Sequence, residues 1–187
     1  MDRKTEILEA AEGLVRKRGF DAFSYADLEQ AVGIRKASIH HHFPSKSDLA
    51  VALINRYTDK MRHKLNEIAS SGHSAGMQLN AYIDLYRSAL TGGSTLCLCV
   101  ALSAGTEQLT HPVLSVLEAY HEDSRDWLAA LFSRGAQDGT IAHVADPIRE
   151  ASACLALVEG AQLQSRASKT LAPFELATAQ LRARVEV

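Results

Sequence analysis

Two clusters in this 187-residue chain hold residue types capable of chemistry: the run His40-His41-His42, and the pair Cys97 and Cys99. Clustered histidines suggest a metal, and neighbouring cysteines suggest a redox or metal pair. Helical geometry argues against both. Successive helical side chains point about 100° apart, so three in a row cannot converge on one ion, and helical metal pairs sit four residues apart. Residues i and i+2 lie about 200° apart, so Cys97 and Cys99 can share neither a ligand nor a disulfide on a helix. They read as small buried hydrophobes. A reactive thiol that senses oxidants or electrophiles is the alternative, but it needs a lowered pKa, and no Lys or Arg nearby in sequence supplies one. The chain has no cofactor loop and no paired-carboxylate pattern, so the expectation is a non-enzyme with no metal or cofactor.

The remaining chemistry is that of cations and short polar side chains, and residues 24–48 concentrate it on a recognisable scaffold. Ser24 can cap a helix, with Asp27 three residues on to complete a capping box. Leu28, Ala31 and Val32 give that helix an apolar face, and Gly33 can end it with φ > 0. A second helix is predicted from about Arg35 to Phe43, stopped by Pro44. Ser45 and Asp48 form another capping box and open the next helix. Two helices joined by a glycine turn, the second of them polar and basic, make a helix-turn-helix. An α-helix fits the DNA major groove and reads base edges from its N-terminal residues. Lys36, Ser38 and His40 are placed to do so, and Arg35, which cannot cap a helix, is placed against phosphate.

The stretch Val32-Gly33-Ile34-Arg35-Lys36-Ala37-Ser38-Ile39-His40-His41-His42-Phe43-Pro44-Ser45-Lys46-Ser47-Asp48-Leu49 resembles the signature of the TetR family. The likeness extends to Ile7-Leu8-Glu9-Ala10-Ala11 and to Arg18-Gly19-Phe20. It implies an all-α protein, with an N-terminal three-helix helix-turn-helix DNA-binding domain and a C-terminal helical ligand-binding and dimerisation domain. It implies a homodimer on a palindromic double-stranded operator, released by a small-molecule effector. It also places Thr5, Ser24, Tyr25, His41 and Lys46 among the DNA-facing residues, with Lys46 set against phosphate. His41 matches a histidine that the family holds between helices. His40 and His42 stand where the family has tyrosines that touch the DNA backbone. Imidazolium is a better phosphate partner than imidazole, so operator binding is expected to be tighter near pH 6 than near pH 8. Equal affinity at the two values, at fixed salt, would refute this.

Composition fits that frame. At 47% hydrophobic and 22% charged, the chain is of globular type. The net charge of −2 hides an asymmetry: residues 1–64 hold 12 Lys and Arg against 9 Asp and Glu, and residues 65–187 hold 8 against 13. A basic segment joined to an acidic remainder suits a phosphate-binding module attached to something else. Residues 1–20 do not read as a signal peptide, no apolar run is long enough to span a membrane, and three cysteines without framework spacing suit a reducing cytoplasm.

The first helix is predicted over 3–18 and the fourth over 46–69, with Leu49, Leu53, Tyr57, Met61, Leu65 and Ile68 along one side. The fourth joins a DNA-binding domain at 1–48 to an effector domain at 70–187, past the linker-like run Ser70–Gly76. Five more helices follow, near 75–91, 94–106, 111–137, 147–169 and 173–186. The apolar segment 96–105 reads as a buried helix at the centre of the second domain. Tyr82, Tyr86, Cys97, His121 and Trp127 are the candidates for an effector pocket. Leu155, Val158, Ala161, Gln162 and Ser165 form a small-residue stripe read as the dimer interface. The rival readings are a helical small-molecule binding protein with vestigial DNA binding, and a thiol-based redox or electrophile sensor.

Overall fold

The computed structural model describes residues 2–105 and 109–186. Its helices are α1 (Arg3–Arg18), α2 (Tyr25–Val32), α3 (Lys36–His42), α4 (Lys46–Ala69), α5 (Ala75–Ser88), α6 (Leu98–Ser103), α7 (His111–Asp138), α8 (Pro147–Ser168) and α9 (Ala172–Arg182). No strand occurs among the described residues, only an isolated bridge between Ile141 and Val185. None of these helices is long and apolar enough to cross a membrane.

Caps set the boundaries. Asp2 accepts from the Thr5 amide at α1, and Ser24 and Asp27 make both bonds of the capping box at α2. Gly33 ends α2 in the left-handed region at φ 72°, where a glycine carries no Cβ penalty. Asp146 accepts from the Ile148 and Arg149 amides and opens α8 with Pro147 at its first turn. Arg35, at the N-cap of α3, makes no capping hydrogen bond.

The chain divides into two compact units, Met1–Asp59 with Leu98–Tyr120, and Lys60–Cys97 with His121–Val187. The division cuts α4 after Asp59 and α7 after Tyr120. In the first unit, Ile7, Leu8, Ala11 and Val15 of α1 pack with Leu28, Ile39, Phe43, Leu49 and Leu53 to form the core. Arg56 fixes α4 to α1 through Glu9 at 2.6 Å and Glu12 at 3.3 Å.

The segment 94–106 differs from its prediction. Gly92 and Gly93 take positive φ in a 3₁₀ turn at Thr91–Gly93, and the helix is only Leu98–Ser103; residue 106 lies outside the described residues. The helix is buried, as its composition demands, but it packs on α1 in the first unit and not at the centre of the second.

In the second unit, α8 and α9 pack closely together. The stripe Leu155, Val158, Ala161, Gln162 and Ser165 faces this unit's own core, each residue at most 4% exposed, so it is not available to a partner. Gln162 accepts from the Cys97 amide at 2.8 Å and donates to the Tyr86 carbonyl at 3.2 Å. Ser165 accepts from the Phe174 amide at 3.0 Å. In sequence, a small polar stripe looks the same whether it serves a core or an interface.

Candidate nucleic-acid interface and ligand site

Helix α3 buries Ile39 and leaves Lys36, Ala37, His40 and His41 exposed, with Ser38 and His42 half-buried. Its seven residues cannot be stable alone, so the core beneath must hold them. Ile39 at 0% and Phe43 at 2% exposure supply that hold. The Pro44 turn is fixed from the other side. Tyr25 Oη lies 2.9 Å from the Phe43 carbonyl and 2.7 Å from the Ser45 carbonyl. Burial, then the nearby charge of Asp48, push the Tyr25 phenol up to about 12, so it stays a donor. Tyr25 is therefore a clamp under the recognition helix, and its hydroxyl is not free for DNA.

Lys46 is also turned inward. Its Nζ donates to the Phe20 carbonyl at 2.7 Å and sits 4.6 Å from the ring centres of both Phe20 and Phe23. Burial lowers its pKa. The two aromatic faces and the nearby charges of Asp21 and Asp27 hold the cation, so Lys46 ties the α1–α2 connection to the start of α4 and offers no open hook for phosphate. His41 is exposed on α3 and not held between helices. The exposed faces of Arg35, Lys36, His40 and His41, with half-buried Ser38 and Thr5 and exposed Ser24, remain as the polar surface around α3. Arg18 pairs with Asp27 at 3.1 Å, and hydrogen bonds from Ser24, with this arginine beside it, hold the Asp27 carboxyl below its ordinary value.

The predicted pocket residues are partly brought together. Tyr82 lies 4.8 Å from Tyr86 and stacks on Trp127 at 5.6 Å and 19°. Tyr82 is fully buried, and burial first, then Tyr86, Cys154 and Glu159, raise its pKa well above the usual phenol range. His121 Nε2 faces Glu159 Oε1 at 3.4 Å, both side chains about one-fifth exposed. Glu159 escaped the sequence reading because a lone charge mid-helix looks like a solvated one. Cys97 donates its amide to Gln162, which in turn donates to the Tyr86 carbonyl. All three cysteines are buried thiols outside any disulfide, and burial pushes the Cys154 thiol up to about 12.

The model for bacterial regulatory proteins of the tetR family matches residues 7–53, a span that takes in α1–α3 and the start of α4. A TetR-family transcriptional regulator from Agrobacterium tumefaciens superposes with a TM-score of 0.92 at 33% identity, covering 98% of this chain and 97% of that one. A TetR transcriptional regulator from Legionella pneumophila gives 0.90 at 26% identity, covering 100% and 98%. The HTH-type transcriptional repressor NemR of Escherichia coli (strain K12) is 26% identical over 186 residues, spanning 97% of this chain and 92% of NemR. With an exposed basic α3 on a capped helix-turn-helix and full-length likeness in the helical remainder, the chain belongs to the TetR family of bacterial transcriptional regulators.

Proposed function

We propose that this regulator is a ligand-released repressor that binds a palindromic operator as a homodimer, with α3 of each subunit in the major groove. The exposed Lys36-to-His41 surface of α3, held rigid by Ile39, Phe43 and the Tyr25 clamp, carries this reading. Lys36, Ser38 and His40 face base edges, while Thr5, Ser24, Arg35 and His41 face the backbone. Dimerisation uses the outer faces of α8 and α9, opposite the buried stripe. Ala156, Leu163 and Ala167 of α8 and Leu176 and Ala179 of α9 are exposed there, and a second copy would cover them. The effector enters at Tyr82, Tyr86, Trp127 and the His121–Glu159 pair. Helices α4 and α7, which each contribute to both units, carry its effect to the DNA. Buried cysteines and the raised Cys154 thiol leave the thiol-sensing alternative with little support.

Selection from random duplex DNA tests the reading. The expected result is an inverted repeat whose half-site centres lie about one helical turn or a multiple of it apart. Lys36→Ala is expected to cost about 1–3 kcal/mol and to relax specificity at one position; an equal loss on every sequence would make Lys36 a phosphate contact only. Trp127 is the single tryptophan of the chain, so it reports on the effector site. Compounds that release the operator are expected to change its emission over the same concentration range. Release with no change in emission would place the effector elsewhere.

A further inference from the structure

Three consecutive carbonyls after α3, those of Phe43, Pro44 and Ser45, are all engaged by two side chains. Tyr25 takes the outer two, and His40 Nδ1 lies 3.2 Å from the middle one, on Pro44. A carbonyl oxygen only accepts, so this contact requires the proton to be on Nδ1. In the neutral ring the lone pair is then on Nε2. The Tyr25 ring packs on the imidazole at 4.7 Å and 52°, which further fixes its orientation. The side chain is exposed, one helical turn beyond Lys36.

We propose that His40 determines specificity, its Nε2 accepting a hydrogen bond from an exocyclic base amine in the major groove. The inference rests on α3 being the recognition helix. Phosphate oxygens are acceptors, so neutral His40 in this tautomer has nothing to give them. The only major-groove edge donors are the N4 amine of cytosine and the N6 amine of adenine. Each base pair carries such an amine on one strand and a keto group on the other. The expected signature is therefore a preference for A or C over G or T on one strand, and not a preference for one base pair. A tyrosine at this position keeps an O–H that can donate to phosphate; histidine turns a backbone contact into a base contact. Protonation would make Nε2 a donor and reverse the role. The groups packed on the ring are the Tyr25 phenol of α2 and the Pro44 carbonyl; Asp48 acts on Tyr25, and Lys36 precedes it on α3.

Two measurements at pH 8 on the full chain test the proposal. In ¹⁵N-histidine NMR, His40 is expected to show its proton on Nδ1 and an unprotonated Nε2; the opposite tautomer overturns the proposal. In duplex selection, wild type is expected to favour A or C roughly fivefold or more at one position per half-site. His40→Phe keeps a ring for Tyr25 to pack on and is expected to lose that preference alone. A half-site read identically by wild type and His40→Phe refutes the role of His40 while leaving α3 as the reader. If wild type enriches no half-site, the recognition-helix reading falls and His40 with it.

Discussion

Arginine at both Leu163 and Leu176 is expected to yield a folded monomer whose operator affinity is lower by roughly 10²–10⁴-fold, the contribution of a second linked contact. The two side chains are 43% and 81% exposed in the single chain, so their replacement opens no cavity and buries no charge within the subunit. In a dimer closed by α8 and α9 they are covered, and a two-fold axis brings each arginine near its own copy. The helix surface around them is smooth: Ala156 and Ala167 flank Leu163, and a Cβ added at Gly160 would meet nothing within 4 Å. Light scattering gives the oligomeric state and anisotropy of a labelled operator gives the affinity. A double variant that remains dimeric at micromolar concentration shows that the interface lies elsewhere. Leu114→Arg, on an exposed position of α7, serves as the comparison and is expected to stay dimeric.

Gly93→Ala is expected to destabilise the chain by about 3 kcal/mol or more, while its neighbour Gly92→Ala costs about 1 kcal/mol. Both residues have positive φ, 90° and 68°, so both alanines are strained. Only at Gly93 is the space also taken. Its Cβ would stand 2.7 Å from the Lys169 carbonyl carbon and the Thr170 nitrogen, and 3.1 Å from the Ser165 oxygen. All three are backbone atoms at the end of α8, where no side chain can swing aside. Thermal melts give the test, with a midpoint lowered by about 6–12 °C for Gly93→Ala at this chain length. Equal melting of the two variants would show that the 3₁₀ turn and the α8 terminus do not pack as described.

The N-terminal third was legible because its signals are local. Ser24 with Asp27, Gly33 after Val32 and Pro44 after Phe43 each act within a few residues, and α1 and α4 begin and end where capping and periodicity place them. What escaped depends on distant partners. Nothing near Tyr25 in sequence announces that its hydroxyl will hold carbonyls 18 and 20 residues away. Gln162 and Ser165 looked like interface residues until Cys97, Tyr86 and Phe174 were seen to satisfy them. The segment 94–106 is apolar on every side, and without periodicity neither the helix length nor the neighbour it packs on can be read. Of the buried cluster, the aromatic members Tyr82, Tyr86 and Trp127 could be guessed from type, but the pairing of Glu159 with His121 could not.

The inward turn of Lys46 has a consequence for the ion atmosphere of the complex. Each phosphate that a protein neutralises on duplex DNA releases counterions and adds about 0.9 to the slope of log affinity against log salt. With its ammonium held by the Phe20 carbonyl between two phenyl rings, Lys46 is expected to release none. A dimer with both lysines so held loses about 1.8 from that slope relative to one that extends them to the backbone. The operator complex of this regulator should therefore tolerate rising salt better than its sequence signature suggests.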